Sequence, residues 1–250
     1  MNFKTTRTGL GLVLTLLATT IHAETWQVGF LAEASRSPFI GDQKETTGLP
    51  LVSYINGRFS YIGGTVQYQL NSDDDSELYV AGQLRQRQYY AASKDFNEDL
   101  AIDGMQDRHA AFELGPGLKQ LMPWGQVVVE GLVDVTGAHE GYELTARYSY
   151  PIQTGRWLIE PAIGVQLQSS GLVDYYHGVR DSEAQDDRPA YRGDRAINTL
   201  TALTVGYTVN TQLLVTAGME QAVLDSSIAD SPIVSEKRLQ KAYLGLIYTF

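Results

Sequence analysis

Apolar and polar positions alternate with a period of two along most of the chain, the spacing of a strand with two unlike faces. From Gly141 to Tyr150, the residues Tyr142, Leu144, Ala146, Tyr148 and Tyr150 share one face, and Glu143, Thr145, Arg147 and Ser149 share the other. Trp157, Ile159, Pro161, Ile163, Val165 and Leu167 oppose Glu160, Ala162, Gly164, Gln166 and Gln168, and Pro161 demands an edge or an irregular point. Val127, Val129, Val133 and Val135 oppose Gln126, Glu130 and Asp134. Segments 26–32, 78–84, 110–118, 197–209 and 213–219 behave likewise, and the final run puts Ala242, Leu244, Leu246, Tyr248 and Phe250 on one face. A water-soluble sandwich also alternates, but it turns its apolar faces into a single core. The aromatic residues near strand ends, Trp26, Tyr150, Trp157 and Tyr248, match instead the interfacial girdles of a barrel whose apolar face meets lipid.

Turn spacing gives the topology. Short connections fall at Asn71 to Ser76, Met122 to Gly125, Pro151 to Gly155 and Asn210, and longer polar ones at Ala34 to Gly48, Ala91 to Gln106, Ser169 to Arg195 and Leu224 to Lys237. Short and long alternate, as they do in outer-membrane barrels with periplasmic turns and external loops. Parity from a periplasmic C-terminus holds if Leu49 to Leu70 is one long strand bulged at Gly63-Gly64. The expected fold is therefore all-β, a transmembrane antiparallel barrel of ten strands. The count rises to twelve if that segment splits at Asn56-Gly57, a hairpin signal, and a further strand forms from Leu172 to Val179.

The leader explains how such a chain reaches a membrane. Lys4 and Arg7 precede an apolar run from Leu10 to Ile21, and Ile21-His22-Ala23 ends a cleavage site. The run is shorter than the ~20 residues of a transmembrane helix, so residues 1–23 read as a signal peptide and 24–250 as the barrel. Losing Lys4 and Arg7 from the 19 basic residues leaves 17 against 29 acidic, a formal charge of −12. That balance argues against nucleic acid as a partner. Cysteine is absent from the 250 residues, which excludes disulfides, thiolate metal sites and a cysteine nucleophile. Tyr at 15 outnumbers Phe at 7 and Trp at 3 together, in keeping with strands and interfacial belts.

The inward faces carry mixed charge. Glu33, Glu113, Glu130, Asp134, Glu143, Glu160 and Glu220 stand against Arg58, Arg85, Arg87, Arg147 and Lys241. About eight strands give a filled interior and ~16 give an open pore, so ten to twelve strands imply a narrow, salt-bridged lumen with Arg147 inward and Tyr148 facing lipid. His109, His139 and His177 lie beside carboxylates in loops, with Ser182 near the last. No G-x-S-x-G, HExxH or phosphate-cradling glycine loop is present. The chain is read as a non-enzyme with no catalytic, cofactor or metal residues, an outer-membrane hydrolase being the least favoured reading. Asp73-Asp74-Asp75 and Asp186-Asp187 suit solvated turns better than a Ca²⁺ site. The mixture of Tyr175, Tyr176, Val179 and charged residues through Tyr191 implies an ordered element over the barrel mouth. It would be anchored by Tyr176 and Tyr191, with Arg180, Arg188 or Arg192 paired to carboxylates.

Two blocks carry a family resemblance. Gly48-Leu49-Pro50-Leu-Val-Ser-Tyr54-Ile-Asn-Gly57-Arg58-Phe59, followed by Gly63-Gly64, resembles the early block of the MipA/OmpV family. Asp174-Tyr175-Tyr176-His-Gly178-Val179, with Glu183-Ala184 and Tyr191, is similar to its later Tyr-Tyr-Gly-Val block, from which His177 is a departure. Tyr248 and the terminal Phe250 resemble the signal read by the barrel-assembly machinery. The resemblance implies a bacterial outer-membrane barrel in contact with lipid and lipopolysaccharide. For the family's namesake it implies a scaffold linking a murein lytic transglycosylase to a bifunctional murein synthase; other members are porin-like, adhesive or involved in drug uptake. A narrow channel for small solutes or antibiotics is thus the alternative to a scaffold. The residues themselves leave that choice open.

Overall fold

A computed structural model describes residues 24–36, 38–40, 45–85, 102 and 104–250. Residues 1–23, expected to be a signal peptide, and Arg87 lie outside the described residues. Strand β1 (Thr25–Ser35) is followed by β2 (Glu45–Asn56), β3 (Phe59–Ile62), β4 (Thr65–Ser72) and β5 (Ser76–Arg85). Next come β6 (Ala111–Met122), β7 (Gly125–Asp134), β8 (Tyr142–Ser149), β9 (Ile152–Thr154) and β10 (Trp157–Gln168). Helix α1 (Ser170–His177) and a 3-10 turn (Asp181–Glu183) precede β11 (Ala196–Thr208), β12 (Leu213–Val223), helix α2 (Ser226–Ala229) and β13 (Arg238–Thr249).

Apart from β8 and β9, which do not pair with each other, each strand pairs antiparallel with its sequence neighbours, and the sheet closes where β1 meets β13, from Gln27↔Thr249 to Ser35↔Lys241. Closure removes the edges that hydrocarbon would leave without hydrogen-bond partners. The short β8 and β9 share one place beside β10, broken at Tyr150-Pro151, where the Tyr150 N–H donates to the Pro161 carbonyl. The barrel therefore has twelve strand positions. Pro161 sits at that irregular point, as its missing N–H requires.

The larger strand number arises differently from the expectation. Asn56-Gly57 does turn the chain, with Gly57 at φ 53°, but Gly63 and Gly64, at φ 57° and 96°, make a second turn instead of a bulge. Left-handed φ in two consecutive residues suits a tight hairpin turn and is open to glycine. Leu172 to Val179 adds no strand: Leu172 to His177 lie in α1, capped by the Ser169 side chain accepting from the Leu172 N–H, with Gly178 as its C-cap.

Inward and outward faces follow the alternation of the sequence. Phe30, Leu144, Ile163, Met219 and Leu244 are exposed outward, while Glu33, Glu143, Glu160, Glu220 and Lys241 are buried inside. Two members of the expected inward set differ. Arg58 is exposed in the turn after Gly57. Asp134 ends β7 and accepts from the N–H groups of Thr136, Gly137, His139 and Glu140, so it organises the loop to β8.

Candidate functional site

The short-turn end of the barrel carries a ring of aromatic contacts. Trp26 packs on Tyr54 at 4.5 Å between centroids, Trp157 on Tyr207 at 4.7 Å and Tyr248 on Phe250 at 5.0 Å. Trp124 lies 5.7 Å from Tyr148, whose hydroxyl donates to the Trp124 carbonyl. These amphipathic rings fix one end of the barrel at a membrane interface.

The lumen is crossed by buried ion pairs in two groups. In one, the Arg85 guanidinium donates to Glu113 at 2.6 Å and to Glu143 at 2.8 Å. His139 Nδ1 accepts from the Gly141 N–H, which leaves the Nε2 proton to donate to Glu113 at 3.1 Å. In the other, Lys241 stands 3.6 Å from Glu33 and 3.7 Å from Glu220, and Arg147 approaches Glu220 at 3.9 Å. Arg147 thus faces inward toward an acidic neighbour, as its strand pattern implies. A ladder of amides, in which Asn198 donates to Gln166 and Gln168 donates to Gln166 and Glu143, spans the wall between these groups. The sequence reading passed over the amides, although Gln166 and Gln168 share the inward face with Glu160.

Over the opposite mouth, four connections interlock into a cap. Its apolar core joins Ile102 and Met105 from the β5–β6 connection, Val173 and Val179 from β10–β11, and Ile228, Ile233 and Val234 from β12–β13. Phe39 of the β1–β2 connection packs against it, pairs with Val234 and stacks on His177 at 5.7 Å. Arg108, 1% exposed, binds Glu183 through two parallel hydrogen bonds and donates from Nε to the Tyr175 carbonyl at 2.6 Å. Glu183 is pushed upward by burial, yet hydrogen bonds from Arg108 and from the backbone N–H groups of Arg180 and Gln106 hold its carboxyl at about 2.

The two motif blocks occupy different places. Gly48, Leu49, Pro50 and Tyr54 lie on β2, Gly57 and Arg58 in the next turn, and Phe59 opens β3, 6.2 Å from Tyr54. Tyr175, Tyr176, Gly178, Val179 and Tyr191 build the cap. Fully buried Tyr176 donates to the His109 carbonyl, Val179 bridges Tyr191, and Tyr191 donates to the Ser227 carbonyl. The expected anchors are therefore in place. Of the three candidate arginines, Arg180 lies 3.9 Å from Glu183, and Arg188 donates to the Glu183 carbonyl oxygen instead of to its carboxylate. Tyr248 lies on β13, and Phe250 donates its N–H to the Trp26 carbonyl. Arg108 is not singled out by the sequence pattern, since its partner Glu183 lies 75 residues away.

His139 is engaged by Glu113 and the Gly141 N–H, and His177 stacks on Phe39. Ser169 accepts from the Tyr142 and Leu172 N–H groups as a helix cap. Among the described residues, no group of three or more His, Cys, Asp or Glu side chains is arranged to hold a metal ion.

The family model described as MltA-interacting protein MipA matches residues 28–250. The chain belongs to that family. It is a bacterial outer-membrane barrel, and several of its relatives are named outer membrane proteins. It is 24% identical over 224 residues to the putative outer membrane protein YiaT of Escherichia coli K12, covering 89% of this chain and 90% of that one. To the MltA-interacting protein of the same organism it is 22% identical over 242 residues, covering 96% and 94%. Among solved structures it is similar to the translocator domain of the autotransporter NalP from Neisseria meningitidis, with a TM-score of 0.46 at 9% identity, covering 91% and 88%.

Proposed function

We propose that this barrel is a non-enzymatic scaffold that presents its short-turn rim to murein enzymes in the periplasm. The observation that carries this reading is the cap of interlocked connections above a lumen bridged by Arg85, Lys241 and their carboxylates. A barrel so bridged and capped offers solutes little room to pass from one mouth to the other, and its periplasmic rim is the surface left for a partner. The relative named MltA-interacting protein supports the choice of a murein lytic transglycosylase as that partner, with a bifunctional murein synthase as the enzyme brought beside it. A stable interface buries ~1,600 Å², and turns as short as Gly57-Arg58 and Pro123-Trp124 supply that area only if several are engaged together. The docking is therefore weak for each turn and depends on their common plane.

The test is binding of purified lytic transglycosylase to the barrel in lipid nanodiscs, with bilayer conductance recorded on the same preparation. Binding with near-zero conductance supports the scaffold. Stable conductance without binding replaces it with the narrow channel.

A further inference from the structure

Among the described residues, one side of the barrel wall lacks a strand along part of its height. Strand β2 pairs with β1 along its whole length, from Glu45 to Ile55. Its other edge pairs with β3 only from Ser53 to Asn56. Strand β3 has four residues, about 13 Å at 3.3 Å per residue, where a tilted strand needs ~9–11 to cross a bilayer. Strand β4 rises from β3 only as far as Thr65, opposite Gln83 of β5. Above the Gly63-Gly64 turn, and among the described residues, the upper edge of β2 has no strand beside it. A Cβ added at either glycine would meet nothing within 4 Å.

The sequence marks this edge. The backbone groups of Trp26 and Arg36 are directed to β13, since Phe250 donates to Trp26 and Arg36 donates to Gln240. In an antiparallel ladder direction alternates residue by residue, so Val52, Pro50, Gly48 and Thr46 of β2 turn theirs away from β1 and into the gap. Pro50 has no N–H to offer, and proline is tolerated in strands where its donor would face an open side. The edge thus presents more acceptors than donors. Behind it, inward Leu49 opposite Leu31 and Ile62 opposite Ser53 add apolar side chains beside the polar Thr47 and Ser53. Deeper in the lumen, above the level where Glu77 faces Lys119, and among the described residues, Glu33, Glu113, Glu130, Glu143, Glu160 and Glu220 outnumber Arg85, Arg147 and Lys241.

We propose that the gap above the β3–β4 hairpin is a lateral entrance for a single-chain amphiphile with a cationic head, which reaches the lumen while its tail stays in the bilayer. Carbonyls on an edge short of donors, and a lumen with an excess of carboxylates, both favour a cation over an anion. An unpaired edge facing hydrocarbon alone is costly, and a polar head with an apolar tail satisfies the two sides of the opening at once. This entrance is independent of docking at the rim.

The test uses the intact barrel in neutral phosphatidylcholine vesicles with two photoreactive probes, a dodecyltrimethylammonium and a dodecanoate, each carrying a diazirine beside its head. Labelled residues are mapped by mass spectrometry. The ammonium probe is expected to mark inward Leu49, Leu51 and Ile62 roughly tenfold more than the carboxylate probe, the ratio that a single favourable charge contact gives. Both probes are expected to mark outward Val52 and Tyr61 alike. Leu49→Trp and, independently, Thr65→Trp fill the inner side of the gap, and each is expected to abolish the inward marks and leave the outward ones. Marks confined to outward residues, equal inward marking by both probes, inward marks that persist in both tryptophan variants, or crosslinks between copies at Val52 would each overturn the proposal.

Discussion

The Arg108 guanidinium lies flat against the Glu183 carboxylate, with Nη1 3.0 Å from Oε1 and Nη2 2.9 Å from Oε2, although 75 residues separate them. This fork joins the β5–β6 connection to the β10–β11 connection. Paired geometry of this kind is stronger and more directional than a single contact. Breaking a buried pair from one side leaves a charge without compensation and costs about 3–5 kcal/mol. Arg108→Ala is therefore expected to open the cap, seen as rapid proteolysis within residues 169–195 while the barrel stays resistant. Equal protection in variant and parent would show that the apolar core alone holds the cap.

The same pair sets an acid limit on the cap. The folded Glu183 carboxyl is held at about 2, below its ordinary value of 4.5, so its contribution is complete above the ordinary value and lost as pH falls toward 2. Pepsin cleavage of the cap is expected to be slow near pH 5 and to accelerate between about pH 4 and 2. In Glu183→Gln this pH dependence is expected to flatten. A parallel acceleration in that variant would assign the acid sensitivity to other groups.

Lys241 is the cation between Glu33 and Glu220, 4% exposed along its side chain. Lys241→Met leaves two buried carboxylates facing each other, and a loss of about 3–5 kcal/mol is expected. Guanidinium unfolding in detergent micelles, followed by tryptophan fluorescence, measures it. Lys241→Met with Glu33→Gln and Glu220→Gln removes the charges together and is expected to recover most of the loss.

Gly115 marks the closest approach within the wall. A Cβ there would lie 1.8 Å from the Gly131 carbonyl oxygen, and the β6–β7 ladder skips Gly115 and Pro116. Backbone cannot yield by that much, so Gly115→Ala is expected to block formation of the compact, heat-modifiable band on gels. Normal migration of the variant would mean that the two strands separate there freely.

Excision of residues 174–191 removes Tyr176, Val179, Glu183 and Tyr191 from the cap. Conductance of the shortened barrel in planar bilayers is expected to rise at least severalfold, because the lumen is then restricted by its ion pairs alone. Unchanged conductance would show that the cap does not close the mouth.

Most of the wall was legible because strand period and lipid exposure act on every second residue: the run from Tyr142 to Tyr150 needs no tertiary information to be read. The failures fall where that rule is suspended. Gly63-Gly64 reads equally as a bulge or a turn, and only the partners of β3 decide. In α1 the apolar positions Leu172, Val173 and Tyr176 fall at helical spacing after the Ser169 cap, a signal hidden by the expectation of another strand. Arg58 and Asp134 have the charge of lumen residues but stand at strand ends, where face assignment by parity ceases. The cap contacts join distant connections, and nothing local in the sequence announces that Arg108 meets Glu183.

The seam between β1 and β13 also constrains when the protein can form. Gln27 and Thr249, 222 residues apart, donate and accept across it, and the Phe250 N–H reaches Trp26. Joining chain ends so far apart carries a large loop-closure entropy and places the molecule among slow folders of high contact order. The wall cannot be sealed while its last strand is still arriving from the inner membrane. Until then the apolar alternate residues of twelve strand positions travel through water, a hazard that makes escort by a holding chaperone a kinetic necessity for this chain.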